Sequence, residues 1–105
     1  MINGKQRSYL KGLAMKENVI IHLGKSSLTA EITKNIDEAL AARELVKIGI
    51  LKNCDDDPNE IADTVAARTH SDVVQVIGRK IVLYRPAKEP KIVLPKITKK
   101  GKARE

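Results

Sequence analysis

Apolar residues recur along this 105-residue chain with two different periods, and the places where the period changes mark its elements. From Leu28 the positions Leu28, Ile32, Ile36, Ala39 and Leu40 return every three or four residues, the spacing that lays an apolar stripe along a helix. Ile61, Ala62, Val65 and Ala66 draw the same stripe after Asp57-Pro58, a pair suited to starting a helix with proline at its first position. Near the amino end Asn3 can cap a helix reaching about Lys16, with Gln6, Leu10, Leu13 and Ala14 on one face, Lys5 and Lys11 outside, and Gly12 interrupting its propensity. Between these helices the period falls to two. NVIIHL (18–23) is short, β-branched and bounded by Gly24, and ELVKIGILK (44–52) alternates Val46, Ile48 and Ile50 with Lys47 and Gly49. DVVQVI and KIVLYR are separated only by Gly78 and Arg79, the spacing of a tight hairpin.

The order α-β-α-β-α-β-β follows. Right-handed crossovers make the first three strands parallel neighbours or near neighbours, and the hairpin makes the last antiparallel. The expected architecture is a two-layer α/β fold with a four-stranded mixed sheet. It forms one domain over residues 1–95, followed by a flexible basic tail at 96–105. No apolar run approaches the roughly 20 residues that cross a bilayer, and MINGKQRSYLKG lacks the apolar segment of a secretory signal. A cytoplasmic, membrane-independent protein is expected.

Charge narrows the partner. The net charge is +7, unevenly spread: residues 73–105 hold ten basic and two acidic residues, whereas 55–72 hold one basic and six acidic. Such a molecule suits a polyanion, nucleic acid before an anionic membrane surface, with the DDDPNE segment turned away from it. An acidic protein bound by the same basic surface is the alternative partner.

HLGKSSLT (22–29) places glycine and lysine where a strand gives way to a helix. The nucleotide-binding loop G-x-x-x-x-G-K-[ST] does not fit, because its first glycine falls on Val19 inside the strand. A loop that clamps a sugar-phosphate chain, as G-x-x-G does in modules for single-stranded RNA, fits better, although serine holds its second glycine position. Ser26 or Ser27 can also cap the helix, and a capped turn with no ligand explains the residues equally well.

NGKQRSYLKGLA, HLGKSSLTAEITKNIDEALAARELVKIGILKNC and VVQVIGRKIVLYR together resemble the CRM domain, or CRS1/YhbY family, in its small free-standing bacterial form. The likeness runs from about residue 3 to residue 95, through the closing IVLP. It rests on the GKQ opening, the GK loop, the ARELVK lead-in and the IG-x-x-IVLYR hairpin, in order and in spacing. The resemblance implies a compact RNA-binding module similar to the C-terminal domain of translation initiation factor three. Bacterial members are associated with precursors of the large ribosomal subunit, and plant relatives with group II intron splicing. Family loops are typically G-K-G-G, so Ser26 and Ser27 depart from the pattern.

The expected RNA-binding residues are Gly24, Lys25, Ser26 and Ser27 in the loop, Lys5, Arg7 and Lys11 on the first helix, Arg79 and Lys80 at the hairpin, and Arg85 beyond the last strand. With no Phe or Trp, and only Tyr9 and Tyr84, stacking on aromatic rings has little to draw on, and recognition should rest on backbone and shape. Catalysis finds no support. Cys54 precedes three aspartates, a setting that does not suit a nucleophile, and His22 and His70 lack a supporting constellation. Asp55–Asp57 lack the glycine and distal glutamate of a calcium loop. The expectation is a monomeric, non-enzymatic protein without cofactor or metal, bound to ribosomal RNA during assembly of the large subunit.

Overall fold

The computed structural model describes residues 2–87 and 92, so the basic tail at 96–105 and the domain limit at residue 95 lie outside the described residues. The elements appear in the expected order: α1 (Gly4–Ala14), β1 (Ile21–Leu23), α2 (Ala30–Arg43), β2 (Leu45–Ile50), α3 (Pro58–Thr69), β3 (Asp72–Ile77) and β4 (Lys80–Tyr84). Each helix begins on a side-chain cap. Asn3 Oδ1 accepts from the Gln6 N–H at 2.8 Å while Gln6 Oε1 accepts from the Asn3 N–H at 3.1 Å, so Gln6, expected on the buried face, completes a capping box. Asp57 caps α3 ahead of Pro58.

For α2 the cap is Thr29, whose hydroxyl accepts from the Ile32 N–H at 3.1 Å, and not Ser26 or Ser27. The reason is local. Ser27 donates its N–H to the Gly24 carbonyl at 2.9 Å, closing a separate turn ahead of the helix. β1 is also shorter than NVIIHL: it spans Ile21–Leu23, and just ahead of it the Ile20 N–H donates to the Lys47 carbonyl of β2 at 3.2 Å.

The sheet order is β1-β2-β4-β3. β1 and β2 pair in parallel, and β4 runs antiparallel between β2 and β3. The hairpin turn carries Gly78 at φ 55°, a backbone conformation that favours glycine.

The sheet's two faces are buried differently. Val46, Ile48 and Ile50 of β2, Ile81 and Leu83 of β4 and Leu23 of β1 pack beneath Ile36 and Leu40 of α2 and Ile61, Ala62 and Val65 of α3. On the opposite face Leu10 and Ala14 of α1 meet Leu45, Val74, Val82 and Tyr84. The α/β class and the four-stranded mixed sheet are as expected, but the two-layer arrangement becomes three, with α1 alone on its own side. The alternation in β2 and β4 dictates this. Leu45, Val82 and Tyr84 point away from the main core, and their burial needs the cover that the first helix supplies, with Ile2 and Ile92 beside it.

Tyr84 is 3% exposed on the α1 face. Burial foremost, then the charges of Glu44 and Asp72, hold its phenol above its ordinary pKa. The folded chain binds that proton more tightly than the unfolded chain does. Its contribution is therefore complete below about pH 10, the unfolded value, and is lost as pH rises from there through the folded value. Tyr84→Phe is expected to flatten the alkaline decline in stability, measured as urea midpoints at stepped pH above about 10.

Candidate nucleic-acid interface

The strands β1, β2 and β3 run the same way, so their carboxyl ends share one edge of the molecule. The β1–α2 loop with GKSS, the β2–α3 loop and the Gly78-Arg79 turn meet there. Backbone bonds join them: the Leu51 N–H donates to the Leu23 carbonyl at 2.8 Å, and the Ile50 N–H to the Arg79 carbonyl at 2.7 Å.

Below this edge the α1 side of the sheet is only partly covered. α1 crosses the sheet from β3, where Arg7 Nε donates to the Val73 carbonyl at 3.4 Å, to β2, where Lys47 Nζ donates to the Ala14 carbonyl at 3.3 Å. It leaves uncovered a row of paired residues in which His22, Lys80 and Ile77 are exposed and Gly49 is buried beside Val19. His22 lies beside Gly49, Gly49 beside Lys80, and Lys80 beside Ile77. The next row pairs Lys47 with Val82 and Val82 with Gln75. Ser8, Lys11 and Gly12 of α1, with Met15 at its C-cap, form the wall of the resulting groove, which has a volume of about 570 Å³. A hollow of about 390 Å³ continues it past Ile77 and Lys80 to His22, Leu51 and Arg79. No carboxylate lines either space among the described residues.

Gly49 makes the close approach possible. A Cβ there would stand 3.0 Å from Val19 Cγ1 and 3.2 Å from His22 Cδ2, so any side chain would push both aside.

The GKSS loop stands at the rim. The position a Cβ would take at Gly24 is 3.5 Å from Asn53 Oδ1 and 3.8 Å from Leu51 Cδ1, ordinary contact distances, so the chain itself does not require glycine there. Lys25 and Ser26 are exposed. Ser27 has φ 53°, the left-handed region that glycine enters freely, and its Oγ is buried without a hydrogen-bond partner. The loop therefore has two sides. Ser26 and Ser27 share a depression of about 240 Å³ with Asp56 and Glu60, so part of the acidic segment lies beside the bend and is not wholly turned away from it.

Of the expected cations, Lys11 and Lys80 line the groove, and Lys5 shares the stripe of α1 that carries Ser8 and Gly12. Arg7 is tied to the outer strand. Arg79 has the position expected of it but another occupation: its Nε donates to the Ile50 carbonyl at 3.1 Å, and its Nη2 to those of Leu51 at 2.7 Å and Cys54 at 2.8 Å. That fork fastens the β2–α3 loop. Arg85 lies at the opposite end of the sheet, ion-paired to Asp37 and donating to the carbonyls of Thr69 at 2.8 Å and Asp37 at 3.0 Å. The structure does not bring it to the groove. Lys47, Gln75, Ile77 and Met15 went unmarked in the sequence, although the alternation around Lys47 places it on the α1 side of β2.

A three-layer α/β domain whose small helix leaves half of one sheet face open between lysines defines the class. A family model, the CRS1 / YhbY (CRM) domain, matches residues 2–85. The chain is 42% identical over 96 residues to the Probable RNA-binding protein YqeI of Bacillus subtilis, covering 90% of this chain and all of that one. It is 36% identical to an RNA-binding protein of Haemophilus influenzae, covering 90% and 96%. A solved structure from Staphylococcus aureus, described as a candidate RNA-binding protein, superposes with a TM-score of 0.78 at 43% identity, covering 90% of this chain and all of that one. The chain belongs to the CRS1/YhbY (CRM) domain family.

Ser27→Gly is expected to raise stability by about 0.5–1 kcal/mol in urea unfolding, since relief of the left-handed strain and of the buried hydroxyl exceeds the added freedom of the unfolded chain. Arg79→Met should expose Cys54, which is 3% accessible under the fastened loop. Its reaction with a thiol reagent is expected to quicken by about tenfold, and Arg79→Lys to rescue it poorly, because an ammonium cannot reproduce the planar fork.

Proposed function

We propose that this protein is a non-enzymatic RNA-binding protein that docks on ribosomal RNA in precursors of the large ribosomal subunit. One observation carries the RNA reading: the open sheet face is flanked by Lys11, Lys47 and Lys80 and has no lining carboxylate among the described residues, with Gly24 of the GK loop next to Leu51 at its edge. The names of its relatives support RNA as the ligand class. The large-subunit precursor rests on the family resemblance.

In this reading Lys25, Lys5, Lys11 and Lys80 meet phosphates, Gly24 lets the loop lie close to the backbone, and Ser26 can donate a hydrogen bond. Arg79 serves by holding the loop edge in place. Ser27 faces Asp56 and Glu60, so its contribution is to the turn. The protein acts as a monomer in the cytoplasm and needs no cofactor. Among the described residues no helix is long and apolar enough to cross a membrane, and no group of three or more His, Cys, Asp or Glu is placed to hold a metal ion.

Filter binding with large-subunit ribosomal RNA at stepped salt tests this. Lys25→Glu and Lys80→Glu should each weaken binding and reduce the salt slope by about one. Lys34→Glu, exposed on α2 on the far side of the sheet, should leave the slope unchanged. Binding insensitive to salt, or weakened as much by the Lys34 variant, would refute the interface. Ribosomal association that survives RNase would favour the acidic-protein adaptor.

A further inference from the structure

The groove beside α1 has a floor that phosphate contacts do not use. Its lysines stand at the margins, while Ile77, 60% exposed, offers aliphatic surface beside the buried Val82, and Met15 adds an 85% exposed side chain at the wall. Gly12 keeps that wall low. It sits inside α1 without a positive φ, and among the described residues no heavy atom beyond the helix's own backbone lies within 4 Å of where its Cβ would stand. Nothing among the described residues requires glycine there, and any other residue type except proline would favour the helix more. What its absent side chain leaves is room within the groove. The groove's volume, about 570 Å³, falls in the range of small-molecule sites, roughly 300–1,000 Å³.

We propose, resting on the RNA-binding reading above, that this groove receives one unpaired, unstacked nucleobase, with its flanking phosphates on Lys11, Lys47 and Lys80. Charge selects the occupant. Three lysines without a lining carboxylate call for an anion, which disfavours a second copy of this chain at net +7 and its own residues 88–105, with seven basic and two acidic side chains. The aliphatic floor calls for an apolar face attached to that anion. A nucleotide outside the stack supplies both, whereas a continuous duplex keeps its bases inside and presents phosphate alone. Aliphatic contact reads no base edge, so preference for a particular base is slight. The protein therefore selects RNA carrying a bulged or single-stranded nucleotide over uninterrupted duplex.

The test uses the full chain and two RNA hairpins matched in phosphate number, one fully paired and one with a single bulged 2-aminopurine. The bulged hairpin is expected to bind about fivefold tighter, less than aromatic stacking would give, with a change in 2-aminopurine emission. Gly12→Leu fills the wall and favours the helix. It should keep its melting temperature and its affinity for the paired hairpin within about twofold, yet lose the preference and the emission change. Gly12→Ala should retain most of both. Equal wild-type affinity for the two hairpins, or a preference that survives Gly12→Leu, overturns the groove while leaving RNA binding intact. No affinity for either hairpin overturns the RNA-binding reading itself. A glutamate-leucine peptide that displaces the bulged hairpin more readily than an unpaired oligonucleotide does would also overturn the proposal, with an acidic peptide as the occupant.

Discussion

A single short helix cannot cover a four-stranded sheet, and the protein's shape follows from that mismatch. An α-helix is about 10–12 Å across with its side chains, and a strand of six residues is about 20 Å long. Laid across the strands from β3 to β2, α1 buries the half of the face that holds Leu45, Val74, Val82 and Tyr84 and leaves the other half to solvent. On the far face α2 and α3 together bury Ile48, Ile81 and Leu83 completely. The asymmetry turns a folding requirement into an open surface, and the residues on that surface then determine its chemistry.

Much of the fold is legible in the sequence because the local signals agree with the tertiary outcome. Asn3 caps α1, Asp57-Pro58 starts α3, and Gly78-Arg79 between two β-branched runs forms the hairpin. The errors arise where one signal outweighs another. Ser26 and Ser27 are good capping residues by type, but the turn back to the Gly24 carbonyl uses them first and leaves the cap to Thr29. The third layer is implicit in β2, where Leu45 has opposite parity to Val46, Ile48 and Ile50. The parity of a single leucine becomes meaningful only once Tyr84 and Val82 are seen beside it and Lys47.

The candidate interface is less legible, because a charged residue's sequence says little about what its head group touches. Arg79 and Arg85 both look like surface cations, yet one is spent on three carbonyls and the other on Asp37 and Thr69. Guanidinium suits such work because its planar donors reach several oxygens at once. Lys11 and Lys80, each with one point charge on a flexible stem, remain at the groove's margins, and Lys47 gives one of its three donors to the Ala14 carbonyl. Ser27 shows a further limit: its residue type suggests a phosphate donor, while its backbone angle reveals a position that glycine would hold without strain.

The sheet's outer strands have a consequence for how the molecule behaves in a crowd. β1 contributes only three residues, and β3 is bent by a register shift between Val73 and Gln75, with the Val73 carbonyl already receiving a guanidinium from α1. Short, kinked and plugged borders are poor templates for strand addition from a neighbour. A polypeptide can thus present an uncovered aliphatic floor in its interior groove without offering the long flat margin from which fibrils grow.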